Sequence, residues 1–261
     1  MRRATGRIRE HWAAAASAVA FLVAWEAASA GGLLREVFFP RPSSVAGQFW
    51  VMLLDGSLAH HGGVTLARLA WAFLLATLPG VSVGLAMGIS RRTREALDPL
   101  FAVVYPIPSV LFLPLISFVL PSAEVALVVT GAITSFFLVA YTTMTGVQAL
   151  ERTVLEAAVH YGARGARLFG KVLLPGALPF IVTGMRLGLG YALIVVIAVE
   201  MVSAREGLGA LLWLSWQILK VEDMYAALVA VAALGGLLTW GLALLRARLL
   251  PWVEDVAERR P

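Results

Sequence analysis

The chain has no cysteine among its 261 residues, and only 14% of them are charged. The absence of cysteine excludes a disulfide framework and a thiolate metal site. An ordinary soluble domain is about 25% charged and about 45–50% apolar, whereas 60% of this chain is apolar. So many apolar side chains cannot be buried in one soluble core of this size. The composition predicts an integral membrane protein and excludes a disordered, collagenous or coiled-coil chain.

Long apolar runs account for this excess. A helix needs about 20 apolar residues to cross a hydrocarbon layer of about 30 Å. Four runs of at least 22 residues carry no charge, and two more contain Glu26 or the pair Arg186 and Glu200. No linker divides the runs, so we predict one all-α transmembrane domain over residues 1–261 with about six spans. The predicted spans are 12–30, 64–90, 99–121, 125–150, 177–203 and 224–245.

The first run has two interpretations. Four arginines before it and the small residues Ala28-Ser29-Ala30 after it are typical of a signal peptide with a cleavage site. The run is longer than the apolar region of most signal peptides, and Glu26 interrupts it. A retained signal-anchor helix is therefore favoured over a cleaved peptide.

The distribution of Lys and Arg predicts the orientation. If the N-terminus is cytoplasmic, fifteen of the 21 basic residues lie on the cytoplasmic side and four lie in the outer segments. Because cytoplasmic loops are enriched in Lys and Arg, we expect both termini in the cytoplasm. The cations lie at the ends of apolar runs and form no patch, so no nucleic-acid partner is expected.

Glycine and proline are unevenly placed. Gly80, Gly84 and Gly88 form two overlapping small-xxx-small steps that predict close helix packing, as does the step from Gly184 to Gly188. The third span contains several prolines, each of which removes a backbone donor, so it is predicted to be kinked or partly unwound. These prolines are Pro99, Pro106, Pro108, Pro114 and Pro121.

Broken helices often line a pathway, so Pro106, Pro108 and Pro114 are candidate pathway residues. Glu200 is a fourth candidate, because a charge at membrane depth usually faces a partner or a wet cavity. An interfacial position is the equal alternative for Glu200 and the favoured one for Glu26. Four scattered histidines and no cysteine give no metal site.

The predicted cytoplasmic loop, residues 151–175, carries the most specific pattern. It begins with a short helix around Glu156-Ala157-Ala158, and Gly162 is predicted to break that helix with a positive φ. Leu168 and Phe169 are predicted to be exposed and to enter a groove on a partner. Leu174-Pro175 opens the next span.

The same loop contains a partial phosphate-binding pattern, Gly165-Ala-Arg-Leu-Phe-Gly170-Lys171. Val172 follows where such a loop needs Ser or Thr to hold magnesium, and no strand precedes it. We therefore expect this chain not to hydrolyse ATP itself.

Glu156-Ala157-Ala158, Gly162 and Leu174-Pro175 resemble the EAA motif of permease subunits of bacterial ABC importers. Further segments resemble the branch that imports nitrate, taurine and aliphatic sulfonates, and together they cover about residues 39–245. They include His61-Gly-Gly-Val-Thr65-Leu-Ala-Arg68, Asp98-Pro99, Pro106-Ile107-Pro108, Thr183-Gly184-Met185-Arg186, Ala198-Val-Glu200-Met201 and Gly207-Leu208-Gly209. The chain departs from the branch at Pro121-Ser122-Ala123-Glu124, where a glycine is usual.

The resemblance implies a type I importer permease in the bacterial inner membrane. It implies that the loop residues Glu156, Ala157, Ala158, Gly162, Leu168, Phe169, Leu174 and Pro175 dock on the ATP-hydrolysing subunits. The implied partners are an ATPase dimer that binds ATP and magnesium, a periplasmic or lipoprotein solute-binding protein, a second permease copy and the lipid bilayer. The alternatives are an ion-coupled secondary transporter and a membrane enzyme, for which no constellation of catalytic residues is present.

Overall fold

A computed structural model describes residues 2–251 of the chain, and the side chains of residues 16–251. This range is helical throughout, with short connections and no strand. A 3-10 helix, Ser109–Phe112, precedes α5, and a π-helix, Phe169–Leu173, precedes α9. The α-helices are α1 (Arg2–Ala30), α2 (Pro42–Leu54), α3 (Ser57–Ile89), α4 (Arg91–Val104), α5 (Leu113–Val119), α6 (Ala123–Gln148), α7 (Arg152–His160), α8 (Ala166–Leu168), α9 (Leu174–Ser203), α10 (Leu208–Gln217) and α11 (Val221–Leu249).

Four helices of the described range are long and apolar enough to cross a membrane: α3, α6, α11 and the continuous helix Ala166–Ser203, which contains α9. Helix α4 and residues Ser109–Val119 pass the same test only as a pair with a bend of 89°, the pattern of either a broken fifth span or a re-entrant loop. The described apolar part of α1, Ala16–Ala30, is shorter, and the side chains of residues 12–15 lie outside the described residues. The all-α membrane fold is confirmed. The span predicted at residues 12–30, and its retention in the protein, remain predictions.

Helices α3, α6 and α9 pack together as the core of the molecule. Gly84 of α3 faces α6 so closely that an added Cβ would overlap the carbonyl oxygen of Ala140. Gly184 of α9 approaches α6 in the same way, against the side chain of Thr142. The predicted glycine steps therefore serve close backbone approach, since any side chain at these positions would push the helices apart.

The helix predicted as the third span, residues 99–121, is broken, as its prolines predict. Helix α4 and residues Ser109–Val119 meet at an angle of 89°. Pro106 and Pro108 lie in the connection between them, and Pro114 lies in the first turn of α5, where a missing N–H costs no helical hydrogen bond. The helix also begins earlier than predicted, at Arg91 instead of residue 99, with the Ser90 hydroxyl accepting from the Thr93 N–H at 3.2 Å.

The segment between α1 and α3 contains helix α2, which begins at Pro42. Glu26 of α1 accepts hydrogen bonds from the N–H and the hydroxyl of Ser43, at 3.0 and 2.7 Å. Glu26 is thus placed at the N-terminus of α2, where orphan backbone donors and the helix dipole favour a carboxylate. Trp50 and Leu54 leave an apolar face of α2 exposed, which is typical of a helix that lies in the membrane interface.

Helix α10 was not predicted. Residues 204–223 were expected to form an outer connection, but Leu208–Gln217 are helical and pack against α9, α11 and α3. Leu208, Gly209, Ala210 and Ser215 are buried by these contacts. At ten residues α10 is too short to cross a membrane, so it forms a short apolar cover over the ends of α3 and α9.

Candidate functional site

The loop between α6 and α9 stands apart from the helical core. Helix α7 has no buried residue, and Glu156 forms an exposed ion pair with Arg152 at 3.0 Å, one helical turn away. Val154 and Val159 are exposed on the same helix, and the Tyr161 side chain that follows it is 93% exposed. A helix without a fully buried residue that exposes apolar side chains has the features of a docking element.

Gly162 ends α7 in the predicted conformation. Its φ is +85°, in the left-handed region that favours glycine, and no atom lies within 4 Å of an added Cβ. The N–H groups of Gly162 and Ala163 donate to the carbonyl oxygens of Val159 and Ala158, at 3.0 and 2.9 Å. The requirement for glycine is therefore conformational and not a matter of space.

Leu168 and Phe169 are half-buried, so the prediction that they are exposed was wrong. The cause is that the helix containing α9 begins at Ala166, well before Pro175, and continues to Ser203. Phe169 begins a π-helical turn, and Pro175 lies in the first turn of α9. Leu174 and Pro175 are also half-buried, whereas Glu156 and Ala157 are exposed and Ala158 is half-buried.

The break in the third span borders a cavity of about 620 Å³. Pro106 lines it, together with Asp98 and Tyr105 from the α4 side and Tyr141 and Thr142 of α6. The cavity therefore combines mostly apolar walls with a few polar groups, as small-molecule sites do. Pro108 and Pro114 are not among its lining residues.

Near the other end of the core, Arg68 joins three segments that are far apart in the sequence. Its guanidinium donates to both carboxylate oxygens of Glu124, at 2.7 and 2.8 Å. The same group donates to Glu200 at 2.8 Å and to the backbone carbonyl of Glu206 at 2.6 Å. Because the Glu200 side chain has no exposed surface and that of Glu124 is 63% exposed, the pair with Glu200 is the buried one.

Glu200 thus forms an ion pair with Arg68 inside the protein, and its side chain has no exposed surface. Thr65 also donates to its carboxylate at 3.0 Å, and the Gly209 N–H donates at 2.9 Å. We refer to Thr65, Arg68, Glu124 and Glu200 as the ion cluster. Glu124 belongs to the segment that departs from the pattern of the branch. In this chain it supplies a second carboxylate for Arg68.

His61 and two members of the ion cluster, Thr65 and Glu200, cap the start of α10. A helix leaves its first N–H groups without an intrahelical partner, and here three consecutive ones are satisfied from α3 and α9. The Gly207 N–H donates to His61 Nδ1 at 3.0 Å, the Leu208 N–H to the Thr65 hydroxyl at 2.8 Å, and the Gly209 N–H to Glu200.

Two glycines make this approach feasible. Gly207 has φ +114°, and an added Cβ would overlap the Glu200 carboxylate. A Cβ on Gly209 would overlap the backbone carbonyl of Ile197. The segment Gly207-Leu208-Gly209 therefore lets the start of α10 lie directly on the end of α9.

Sequence reasoning identified Glu200 but not its partner. Arg68 is 132 residues away, inside the predicted span 64–90. One signal was available: Thr65 and Arg68 lie on one helix face, at i and i+3, beside an apolar run that holds no other cation before Ser90. A cation placed in that way needs an anion at the same depth.

The chain is similar to known proteins over most of its length. Residues 80–255 match the family model "Binding-protein-dependent transport system inner membrane component". The taurine transport system permease protein TauC of Escherichia coli is 31% identical, over 90% of this chain and 87% of that protein. The nitrate import permease protein NrtB of Synechocystis is 27% identical, over 88% of this chain and 86% of that protein.

A further relative is the putative aliphatic sulfonates transport permease SsuC of Bacillus subtilis, which is 28% identical over 97% of this chain and 92% of its own length. Among solved structures, the inward-facing MetNI methionine ABC transporter matches with a TM-score of 0.61 and 18% identity. That match covers 71% of this chain and 93% of the other, and it shows a shared fold.

Proposed function

This chain belongs to the family of binding-protein-dependent transport system inner membrane components, in the nitrate, taurine and sulfonate branch of ABC importer permeases, and from this premise we propose that it couples a solute pathway to a separate ATPase. In this proposal two copies of the chain form the pathway. A pair of ATPase subunits binds ATP and magnesium on the cytoplasmic side. A solute-binding protein delivers the solute from outside, and this chain binds no cofactor.

The observation that carries the proposal is the exposed helix α7 within the matched range 80–255. It combines an acidic residue, Glu156, with exposed Val154 and Val159, and a glycine turn follows it. Beyond that turn the helix Ala166–Ser203 runs to the ion cluster. A subunit bound to α7 would therefore be connected through one continuous helix to the ion cluster.

The proposed solute is a small anion or organic solute such as taurine, an aliphatic sulfonate or nitrate, because the relatives are named for these compounds. The cavity of about 620 Å³ at the broken third span is the proposed part of the pathway in this chain. Pro106 would shape it, with Pro108 and Pro114 holding the bend beside it. An ion-coupled secondary transporter is the alternative, but the buried Glu200 is already fully engaged with protein donors.

The test is uptake into proteoliposomes that contain the permease and the ATPase encoded beside it, with the matching binding protein added outside. We expect uptake of the radiolabelled sulfonate, taurine or nitrate only when ATP is enclosed with the ATPase. Omitting the ATPase is the control. Uptake that follows an imposed ion gradient without ATP would show a secondary transporter and contradict the proposal.

The orientation can be tested with single cysteines, since the chain contains none of its own. A cysteine at Ser44, at the start of α2, is expected to react in spheroplasts with a thiol reagent that does not cross membranes. A cysteine at Thr153, exposed on α7, is expected to react only after the membrane is opened. The reverse pattern would exclude cytoplasmic termini and the proposed role of α7.

A further inference from the structure

Two arginines from different helices line one cavity. Arg186 lies on α9 and Arg246 lies three residues before the end of α11, and the cavity between these helices has a volume of about 360 Å³. None of the eight described residues that line it is acidic. It is separate from the cavity at the broken third span, which lies against α4 and α6. We refer to it as the basic cavity.

Arg246 indicates the depth of the basic cavity in the membrane. Arg186 lies twelve residues beyond the start of α9, about 18 Å at 1.5 Å per residue. Because it shares a cavity with Arg246, this part of α9 is level with the last turn of α11. In the proposed orientation that level is the cytoplasmic face of the membrane, where phospholipid headgroups lie.

The lining suits an amphiphilic anion. Val182, Leu242 and Leu250 form apolar walls, and the Thr183 hydroxyl already donates to the carbonyl oxygen of Pro179 at 2.8 Å. The two guanidinium groups supply the positive charge of the cavity. Each has five N–H donors, so a guanidinium that already has one partner can still donate to a phosphate. Arginine binds phosphate through paired N–H groups.

The apolar walls distinguish between two sources of phosphate. A free phosphate ion would have to lose water beside walls that offer it no hydrogen bond, which is unfavourable. A phospholipid brings its own glycerol and acyl groups to those walls. Basic pockets between transmembrane helices on the cytoplasmic side are suited to anionic headgroups for the same reason.

We propose that the basic cavity binds the phosphate headgroup of an anionic phospholipid of the cytoplasmic leaflet, with Arg186 and Arg246 as its ligands. The lipid would then join α9 to α11 at a level where the basic cavity separates the two helices. This site is independent of the transported solute, although its place in the cytoplasmic leaflet rests on the proposed orientation.

Native mass spectrometry of the purified full-length chain in detergent tests the site. With phosphatidylglycerol we expect a retained lipid that phosphatidylcholine does not replace. Each neighbouring arginine contributes about fivefold to the binding of anionic lipid, so Arg186→Gln and Arg246→Gln should each weaken retention by about that factor. The matched control is Arg248→Gln, two residues further along α11 and outside the lining, which should retain lipid as the unaltered chain does.

Several outcomes would overturn the proposal. Equal retention of phosphatidylglycerol and phosphatidylcholine by the unaltered chain would show that no anion is selected, and this comparison needs no variant to fold. Displacement of the lipid by an equal concentration of inorganic phosphate would indicate a site for soluble anions. Unchanged retention in both Arg186→Gln and Arg246→Gln would place the lipid elsewhere. The cysteine experiment tests the orientation separately, so the two failures can be told apart.

Discussion

Replacing Arg68 by methionine is expected to lower the free energy of unfolding by about 3–5 kcal/mol, the usual cost of leaving one member of a buried ion pair without its partner. The Glu200 carboxylate would remain fully buried with only Thr65 and the Gly209 N–H as donors. Thermal unfolding in detergent, followed by the fluorescence of the eight tryptophans, should show a melting temperature lower by about 10 °C.

Two variants of the ion cluster provide matched controls. Glu124→Gln should cost at most about 1 kcal/mol, because an exposed ion pair contributes little and the Glu124 side chain is 63% exposed. Glu200→Gln added to Arg68→Met should recover part of the lost stability, since the remaining buried group then carries no charge. Equal effects of Arg68→Met and Glu124→Gln would show that the buried pair is not the stabilising one.

Valine in place of Gly162 is expected to abolish most uptake while leaving the membrane core intact. A left-handed φ costs a side chain of this kind about 1–2 kcal/mol, and a β-branched residue is a strong outlier there. The equilibrium between the native turn after α7 and other conformations would then shift about five- to thirtyfold against the native turn. The measurement is the ratio of ATP hydrolysed to solute taken up by proteoliposomes, which should rise as uptake falls.

The loop offers controls of its own. Gly170→Val changes a glycine that also has no atom within 4 Å of an added Cβ but has no positive φ, and it should transport normally. Gly162→Asn should retain much of the activity, because asparagine tolerates the left-handed region. Normal uptake by Gly162→Val would mean that this turn is only a connector.

Glu156 tests the surface of the same helix. Glu156→Lys should weaken co-purification of the ATPase, while Glu156→Gln should be close to the unaltered chain. The exposed pair with Arg152 contributes only about 0.3–0.5 kcal/mol to stability, so a defect confined to the lysine variant would arise at the docking surface.

The spans and the broken helix could be predicted because they depend on local properties. Apolar length decides whether a helix crosses a membrane, and Pro106 and Pro108 interrupt backbone hydrogen bonding wherever they lie. The positive φ of Gly162 was predictable for the same reason, since only a few residues lie between α7 and the next helix.

The ion cluster and α10 depend on contacts between distant segments. The sequence near Glu200 does not indicate which cation pairs with it. Arg186 is the nearer candidate in the sequence, but it lies too far along the same helix to form a pair. Helix α10 is too short to be recognised as a span, and buried side-chain acceptors on α3 and α9 stabilise its start. The half-buried position of Phe169 likewise follows from a helix that begins before the proline.

The unbroken helix from Ala166 to Ser203 has a mechanical consequence. Its 38 residues correspond to about 57 Å at 1.5 Å per residue, and if they move together a tilt of about 5° about one end moves the other end by about 5 Å. Glu200 holds one end against Arg68, while the other end follows the glycine turn after α7. One continuous helix therefore joins the ion pair at one end to the glycine turn after α7 at the other, so a small change of tilt near Glu200 corresponds to a much larger displacement at the loop.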